Sequence, residues 1–327
     1  MHIEKGLQGN IKDERKLSVG IFIPMLNAAV ELMSLLPALA RMQPAPDRVL
    51  FVDSSSTDNS CELVREAGYE CEVIKREDFG HGRTRNIALE RLDVDIILYL
   101  TQDALPQGHD LIERILEGFD DPNVAHIVAR QLPRDDATLS ARFSRLFNYP
   151  SSGYKNEKKD FESKGIRAVF TSNSCAAYRR TALASIGGFA SGIPSNEDAV
   201  AVGQLLQAGY SMIYQSGAEV VHSHNYALTE EFRRYFDTGV AHAVHEMFRS
   251  PAKSVGGEGR SYVKSEIRFF LKHNALLLIP ALFRDFIRWS GYRTGKAHRF
   301  LPLWLKRKCA LNRSYWINEH KLIGKTC

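Results

Sequence analysis

The strongest constraint in this 327-residue sequence is a series of short apolar segments that end on turn-forming or acidic residues and alternate with stretches of helical spacing. Residues 17–24 (LSVGIFIP), 48–53 (RVLFVD) and 94–100 (VDIILYL) read as buried strands, with a shorter one at 71–75. Between them, 28–42 sets Leu32, Leu35, Leu36 and Leu39 on one helical face. SSSTDNS reads as a turn and helix cap leading into CELVREAG, with Gly68 as the stop. Residues 84–92 read as a helix opening after a Gly-containing turn. Strands and helices alternating at this pitch imply βαβ units, and so an α/β fold with a mostly parallel central sheet flanked by helices. Ligands of such sheets sit at the carboxyl ends of the strands, where Asp53 and Asp103 fall.

The second half is patterned differently. A strand is expected within 168–179, a break at GGF (187–189), a helix over 197–208 stopped by Gly209, and short strands at 211–214 and 218–224. Residues 229–248 read as an amphipathic helix, and from 263 onward the chain reads as helical, aromatic and basic. Net charge is +5, but residues 284–313 carry nine Lys/Arg against one acid, +8, which leaves the remainder at −3. Basic character therefore belongs to the tail. ALLLIPALF (275–283) is the longest apolar run, far short of the ~20 residues of a spanning helix. Phe269, Phe270, Phe283, Phe286, Trp289 and Trp304 amid Arg and Lys suit peripheral contact with an anionic membrane, and no nucleic-acid partner is expected. The polar first sixteen residues do not read as a signal peptide. Five cysteines without a CxxC pair argue for reduced thiols in the cytoplasm rather than a disulfide framework.

Four groups of residues could carry chemistry. Asp103, in TQDA at a strand end, could hold Mg²⁺ or Mn²⁺ against a diphosphate, or could cap the next helix. Glu197-Asp198, in NEDA at a helix start, could complement the helix dipole or supply a general base. FGHGRTRN (79–86) joins two glycines to Arg83 and Arg85 near a helix N-terminus, a combination suited to a diphosphate. His222 and His224, in VVHSH, alternate on a strand and so share a face, from which either could complete a metal site with Asp103. Phosphate loops of the GxxxxGK[ST] kind, GxGxxG after a strand, and GxSxG elbows are all missing, which removes the main support for kinase, dehydrogenase and serine-hydrolase readings.

In this order, IPMLN (23–27), VDSSSTDNS (52–60), TQDA and NEDA resemble the motifs of family-2 glycosyltransferases with the A-type fold, across about residues 17–226. FGHGRTRN, YLTQDALP and HSHNY are similar to the rhamnosyltransferase branch of that family. The resemblance implies a catalytic domain over 17–226, with a nucleotide-binding half to about 130 and an acceptor half from 131, followed by a helical, basic C-terminal extension over 227–327. It implies an inverting transfer of L-rhamnose from dTDP-L-rhamnose to a glycan, lipid-linked and destined for O-antigen or another surface polysaccharide, on the inner face of the cell membrane. Pro24, Asn27 and Asp53 would form the nucleotide pocket; Arg83, Arg85, Gln102 and Asp103 would line the donor side. Asp103 with His222 or His224 would hold a divalent metal, and Asp198, supported by Glu197, would be the base. Thr101-Gln102-Asp103 lacks the first acid of the family's DxD slot. A UDP-hexose donor on the same fold, or a non-catalytic carbohydrate- or membrane-binding protein, are the competing readings.

Overall fold

The computed structural model describes residues 16–248 and 255–317, with side chains of 255–258 excepted. The polar N-terminal stretch, apart from its last residue, lies outside the described residues, as do 249–254 and 318–327 of the extension. In the first half, β1 (Val19–Met25), α1 (Ala29–Ala40), β2 (Arg48–Asp53), α2 (Ser60–Glu66), β3 (Glu70–Val73), α3 (His81–Arg91) and β4 (Ile96–Leu100) alternate as the apolar runs require. There follow β5 (Leu105–Pro106), α4 (Leu111–Glu117), β6 (Val124–Leu132), α5 (Leu139–Asn148), β7 (Tyr154–Asn156) and α6 (Lys158–Lys164). Then come β8 (Cys175–Arg179), α7 (Arg180–Ser185), α8 (Glu197–Gln207) and β9 (Ser211–Val221). Helices α9 (Leu228–Val244), α10 (Val255–His273), α11 (Leu278–Lys296) and α12 (Leu303–Cys309) complete the described chain.

The strands form one sheet in the order β3-β2-β1-β4-β8-β6-β9-β5, with β7 on β9. The first four strands are parallel, as expected. Beyond β4 the sheet is mixed rather than mostly parallel: β8 runs antiparallel to both β4 and β6, and β9 is parallel to β6 but antiparallel to β5 and β7. The cause is the run of elements after β4, where strands no longer return through single crossover helices. Where two short strands were expected there is one, β9, and 222–224 lie beyond its end. SGA at 216–218 bulges out between Gln215 and Glu219, opposite adjacent residues of β6, so the chain regains its register.

Helices cover both faces. Leu32, Leu35 and Leu39 of α1, Val64 of α2 and Ile112 and Ile115 of α4 pack on one side with Ile21, Ile23 and Phe51. Ala88 of α3, Leu183 of α7 and Val202, Leu205 and Leu206 of α8 pack on the other with Phe22, Tyr99 and Tyr178. The result is the three-layer arrangement that strands buried on both faces demand. Contrary to the expectation of reduced thiols, Cys61 of α2 and Cys71 of β3 are joined by a disulfide.

The extension is fixed to the body by unusually close helix packing. A Cβ on Gly239 of α9 would run into Tyr292 O, and one on Gly291 or Gly295 of α11 would run into Phe232 O or Phe236 O. Gly291 and Gly295, one helical turn apart, thus let the two backbones touch. Gly295→Val should therefore force α11 off α9 and cost about 1–3 kcal/mol. Thermal or urea unfolding of the full chain would measure it. Gly217→Ala, whose added Cβ would lie 3.9 Å from its nearest neighbour, should change stability by no more than about 0.5 kcal/mol.

Candidate active site

A cleft of about 1310 Å³ opens at the carboxyl ends of the parallel strands. Its lining includes Asp103, Glu197, Asp198, His222 and His224, from sequence positions more than a hundred residues apart. Arg85 and His81 contribute from α3, Lys75 and Arg76 from the segment after β3, and Arg145 from α5. The extension supplies a wall of its own, with Arg234, Tyr262, Arg284 and Asn312.

The two acids of NEDA have different partners. Glu197 is 5 % exposed and lies 3.1 Å from the guanidinium of Arg85, itself 7 % exposed. Arg85 also donates to His81 O, so both charges are consumed inside the protein. Asp198 faces the cleft, accepting from Ala199 N at 2.8 Å and Asn173 N at 3.3 Å, with no cation bridged to it among the described residues. Burial pushes its carboxyl up, with the neighbouring Glu197 charge adding to the effect, to about 7. A carboxyl so placed exchanges its proton near neutral pH, as a general base should.

FGHGRTRN has a structural task. A Cβ on Gly82 would collide with Ala190 O, so the close approach this glycine permits is to the chain's own loop, not to a phosphate. Asn86 holds the Phe189 backbone from both sides, donating to its carbonyl at 2.9 Å and accepting from its N–H at 2.8 Å. With the Arg85–Glu197 pair, these contacts clasp α3 to the loop that leads into α8. Arg83 turns outward and pairs with exposed Asp78, and it does not line the cleft. Of the two arginines expected on the donor side, Arg83 thus stands away from the cleft, while Arg85 lines it and is paired with Glu197.

Asp103 lies 3.4 Å from His222 Nε2 and 3.3 Å from His224 Nε2, and the two Nε2 atoms are 3.0 Å apart. Ligand atoms of all three fall within 4.8 Å of one another. His222 Nδ1 faces Gln131 Oε1 at 2.9 Å, and Arg145 donates to the same oxygen at 2.7 Å. Because Gln131 Oε1 is an acceptor, it favours a proton on His222 Nδ1, which leaves Nε2, beside Asp103, able to bind a cation. Burial lowers both imidazoles, His224 to about 4, so both are uncharged near neutral pH. Burial would raise Asp103, but the His222 and His224 rings beside it outweigh this and hold it below the usual carboxylate range. An oxygen and two imidazole nitrogens converging on one point fit a divalent cation. Two nitrogen donors suit Mn²⁺ better than Mg²⁺, which prefers oxygen.

The remaining expected residues stand beside the cleft rather than in it. Asp53 is buried at the end of β2 and accepts from both Ser56 N and Ser56 Oγ. Its carbonyl accepts from Ile74 N, tying this turn to the segment that bears Lys75. Asn27, at positive φ, accepts from Thr57 N at 2.8 Å and so joins the loops after β1 and β2; Pro24 lies just before it in β1. Gln102 uses its whole amide on the Leu26 backbone, accepting from N at 2.8 Å and donating to O at 3.2 Å. It thereby shapes the β1 loop.

Sequence reading missed Arg145, Gln131 and Arg234. Gln131 is the next-to-last residue of β6, a strand not anticipated, and Arg145 lies on α5, whose LSARFSRLFN pattern was readable as an amphipathic helix. Arg234 stacks over the Tyr226 ring, 4.7 Å from its centroid, and Tyr226 in turn stacks on His224. Neither arginine is salt-bridged to a carboxylate among the described residues, and both flank the Asp103 cluster.

Glycosyl transferase family 2 matches residues 20–187 of the chain. The O-antigen chain rhamnosyltransferase RfbN of Salmonella typhimurium is 39% identical over 304 residues, 92% of this chain and 97% of its own. WbaN of Salmonella anatum, also described as an O-antigen chain rhamnosyltransferase, is 40% identical over 282 residues, 86% of this chain and 90% of its own. Among solved structures, the mannosyltransferase PcManGT of Pyrobaculum calidifontis, in complex with GDP-Man and Mn²⁺, superposes with a TM-score of 0.56 at 18% identity, covering 93% of this chain and 86% of its own. TarS residues 1–349 of S. aureus with UDP give a TM-score of 0.52 at 13% identity, covering 86% and 91%. At these identities the two structures speak to the fold alone.

Arg85→Met should leave Glu197 buried without its partner and cost about 3–5 kcal/mol, and adding Glu197→Leu should recover most of that loss. Urea unfolding of the two single variants and the double variant measures the coupling.

Proposed function

Because the chain belongs to glycosyl transferase family 2 and has the A-type fold, we propose that it transfers L-rhamnose from dTDP-L-rhamnose to a glycan acceptor by a single in-line displacement, with Asp198 as the base. The chain is a glycosyltransferase by its family; rhamnose as the sugar follows from its likeness to the rhamnosyltransferases RfbN and WbaN. The observation that carries the mechanism is the division of NEDA: Arg85 neutralises Glu197, while Asp198 keeps a raised carboxyl in the cleft. An acceptor hydroxyl would lose its proton to Asp198 as its oxygen attacks from the face opposite the diphosphate. One displacement inverts the anomeric centre, so a β-L-rhamnosyl donor gives an α-linked product.

On the donor side, Asp53, Asn27 and Pro24 would shape the base pocket. Asp103, His222 and His224 would hold a divalent cation, Mn²⁺ by preference, which when bound would offset charge on the leaving diphosphate. Arg145 and Arg234 take the place first given to Arg83 and Arg85 as cations free to meet that diphosphate. The extension from about 227 would be the acceptor-side wall of a catalytic body over 17–226, and a lipid-linked glycan on the cytoplasmic face of the membrane would be its substrate.

Asp198→Asn should lower kcat by about 10²–10⁴-fold while thermal stabilisation by dTDP is retained. For the unaltered enzyme, the base works only when ionised, so the rate should fall as pH drops through about 7. Near wild-type turnover in Asp198→Asn would refute the base assignment. For the nucleotide and metal, dTDP with Mn²⁺ should raise the melting temperature more than UDP or GDP does. His222→Ala and His224→Ala should each lose the Mn²⁺-dependent part of that rise, as calorimetric Mn²⁺ titration would also detect. A Mn²⁺ response unchanged in both variants would place the ion elsewhere.

A further inference from the structure

Helices α10 and α11 form an antiparallel hairpin, closed by Arg288 donating to Tyr262 Oη at 3.0 Å. Its turn, Ala275–Leu277, and the outer face of α11 are apolar and open to solvent. Leu276 is 88 % exposed, Ile279 79 %, Phe283 53 %, Phe286 56 % and Trp289 57 %. Their spacing of three and four residues puts them on one stripe. The same stripe continues into Arg293 and Lys296, both exposed, with the Arg293 guanidinium 6.0 Å from the Trp289 ring centroid. Single exposed apolar residues are ordinary, but a contiguous row of this size marks an interaction surface.

We propose that the tip of this hairpin and the outer stripe of α11 insert into one leaflet of an anionic lipid bilayer. No described helix is long and apolar enough to cross a membrane, so the insertion is shallow. The membrane-facing set expected from sequence is thereby altered. Phe270 is buried, and Phe269 stacks on His273 and packs against Phe143, so neither faces outward. Leu276 and Ile279 take their place. Charge complementarity favours a bilayer over a second copy of the chain: the stripe bears no acid, so a second copy packed on it by the same face would offer Arg293 and Lys296 no counter-charge. The lysine- and arginine-rich segment 284–313, at net +8, instead suits anionic headgroups.

α11 has a further face. Arg284 and Arg288 line the cleft, where both bind Glu231, at 3.1 Å and 2.7 Å. One helix thus presents lipid-seeking side chains outward and cleft wall inward, and Gly291 and Gly295 lock it to α9. A docked molecule holds its cleft at a fixed attitude to the bilayer, which is what a lipid-linked acceptor needs. This consequence rests on the proposed acceptor class; the docking itself does not.

The test uses the full chain without donor, mixed with phosphatidylglycerol-containing vesicles or with pure phosphatidylcholine vesicles. Sedimentation should recover the protein with the anionic vesicles, with a blue shift of tryptophan emission that Trp289→Phe largely removes. Ile279→Ser combined with Phe283→Ser should reduce partitioning at least tenfold, while stabilisation by dTDP stays at the wild-type value. Equal partitioning of the double variant, or equal recovery on neutral vesicles, would overturn the proposal. So would light scattering that finds a dimer which the double variant dissociates, since the stripe would then be a subunit interface. Failure of dTDP to stabilise the unaltered chain would count against the donor assignment and leave the vesicle result to be judged by itself.

Discussion

The buried pair between Arg85 and Glu197 is the contact on which the geometry of the cleft depends. It joins the second turn of α3 to the first turn of α8, across a sequence gap of more than a hundred residues. Two charges so far out of water hold together only if each keeps the other, because removal of either leaves an uncompensated ion in a low-dielectric setting. Asn86 on Phe189 and Gly82 against Ala190 fasten the same two elements. Asp198 is the next residue after Glu197, so its direction into the cleft is set by a contact it does not make. Glu197 matters to Asp198 in a second way, since its charge adds to burial in raising the Asp198 carboxyl.

The first half of the fold was legible because its physics is local. β1, β2 and β4 are buried on both faces, which writes them as continuous apolar runs, and α1 shows its buried Leu32, Leu35 and Leu39 at helical spacing. The mixed half of the sheet was not legible. Strand direction beyond β4 depends on pairing partners distant in sequence, and β6 went unread because VAHIVARQL sets polar His126 and Arg130 among its apolar residues. The site divided along the same line. Residue types and their order identified Asp103, Asp198, His222 and His224, all of which line the cleft. Which charge is spent on which partner could not be read from order. FGHGRTRN has the composition of an anion cradle, and only tertiary contacts reveal Gly82 and Arg85 turned toward the protein itself. The Cys61–Cys71 disulfide is hidden for a related reason: nothing in a ten-residue separation records that α2 and β3 lie side by side.

The extension also takes on a different meaning once packed. From sequence it is a basic, aromatic tail that follows the chemistry. In the structure α9 and α11 meet at backbone contact through glycines, and Arg234, Tyr262 and Arg284 form cleft wall. With the docking proposed above, a wall that also displays an apolar outer stripe would tie substrate access to surface attachment. Such coupling needs rigidity between the two faces of one helix, and close-packed glycine contacts supply it because they leave no side-chain layer to shear.

The missing first acid of the DxD slot is best understood as a change of duty at one position. Gln102 directs both ends of its amide to the Leu26 backbone, a neutral clamp that a carboxylate could not make, since it has no N–H to donate to the Leu26 carbonyl. The β1 loop that carries Asn27 is held by that clamp from one side and by Ser56 and Thr57 from the other. A ligand set deprived of one carboxylate is not thereby weakened if nitrogen donors replace it. His222 and His224 both reach Asp103, and Gln131 fixes the tautomer of His222. For the cation proposed here, two imidazoles beside one carboxylate would leave less negative charge around it than paired carboxylates and would suit Mn²⁺ better than Mg²⁺. The departure from DxD is therefore compatible with a working site of altered metal preference, and offers no support for a decayed one.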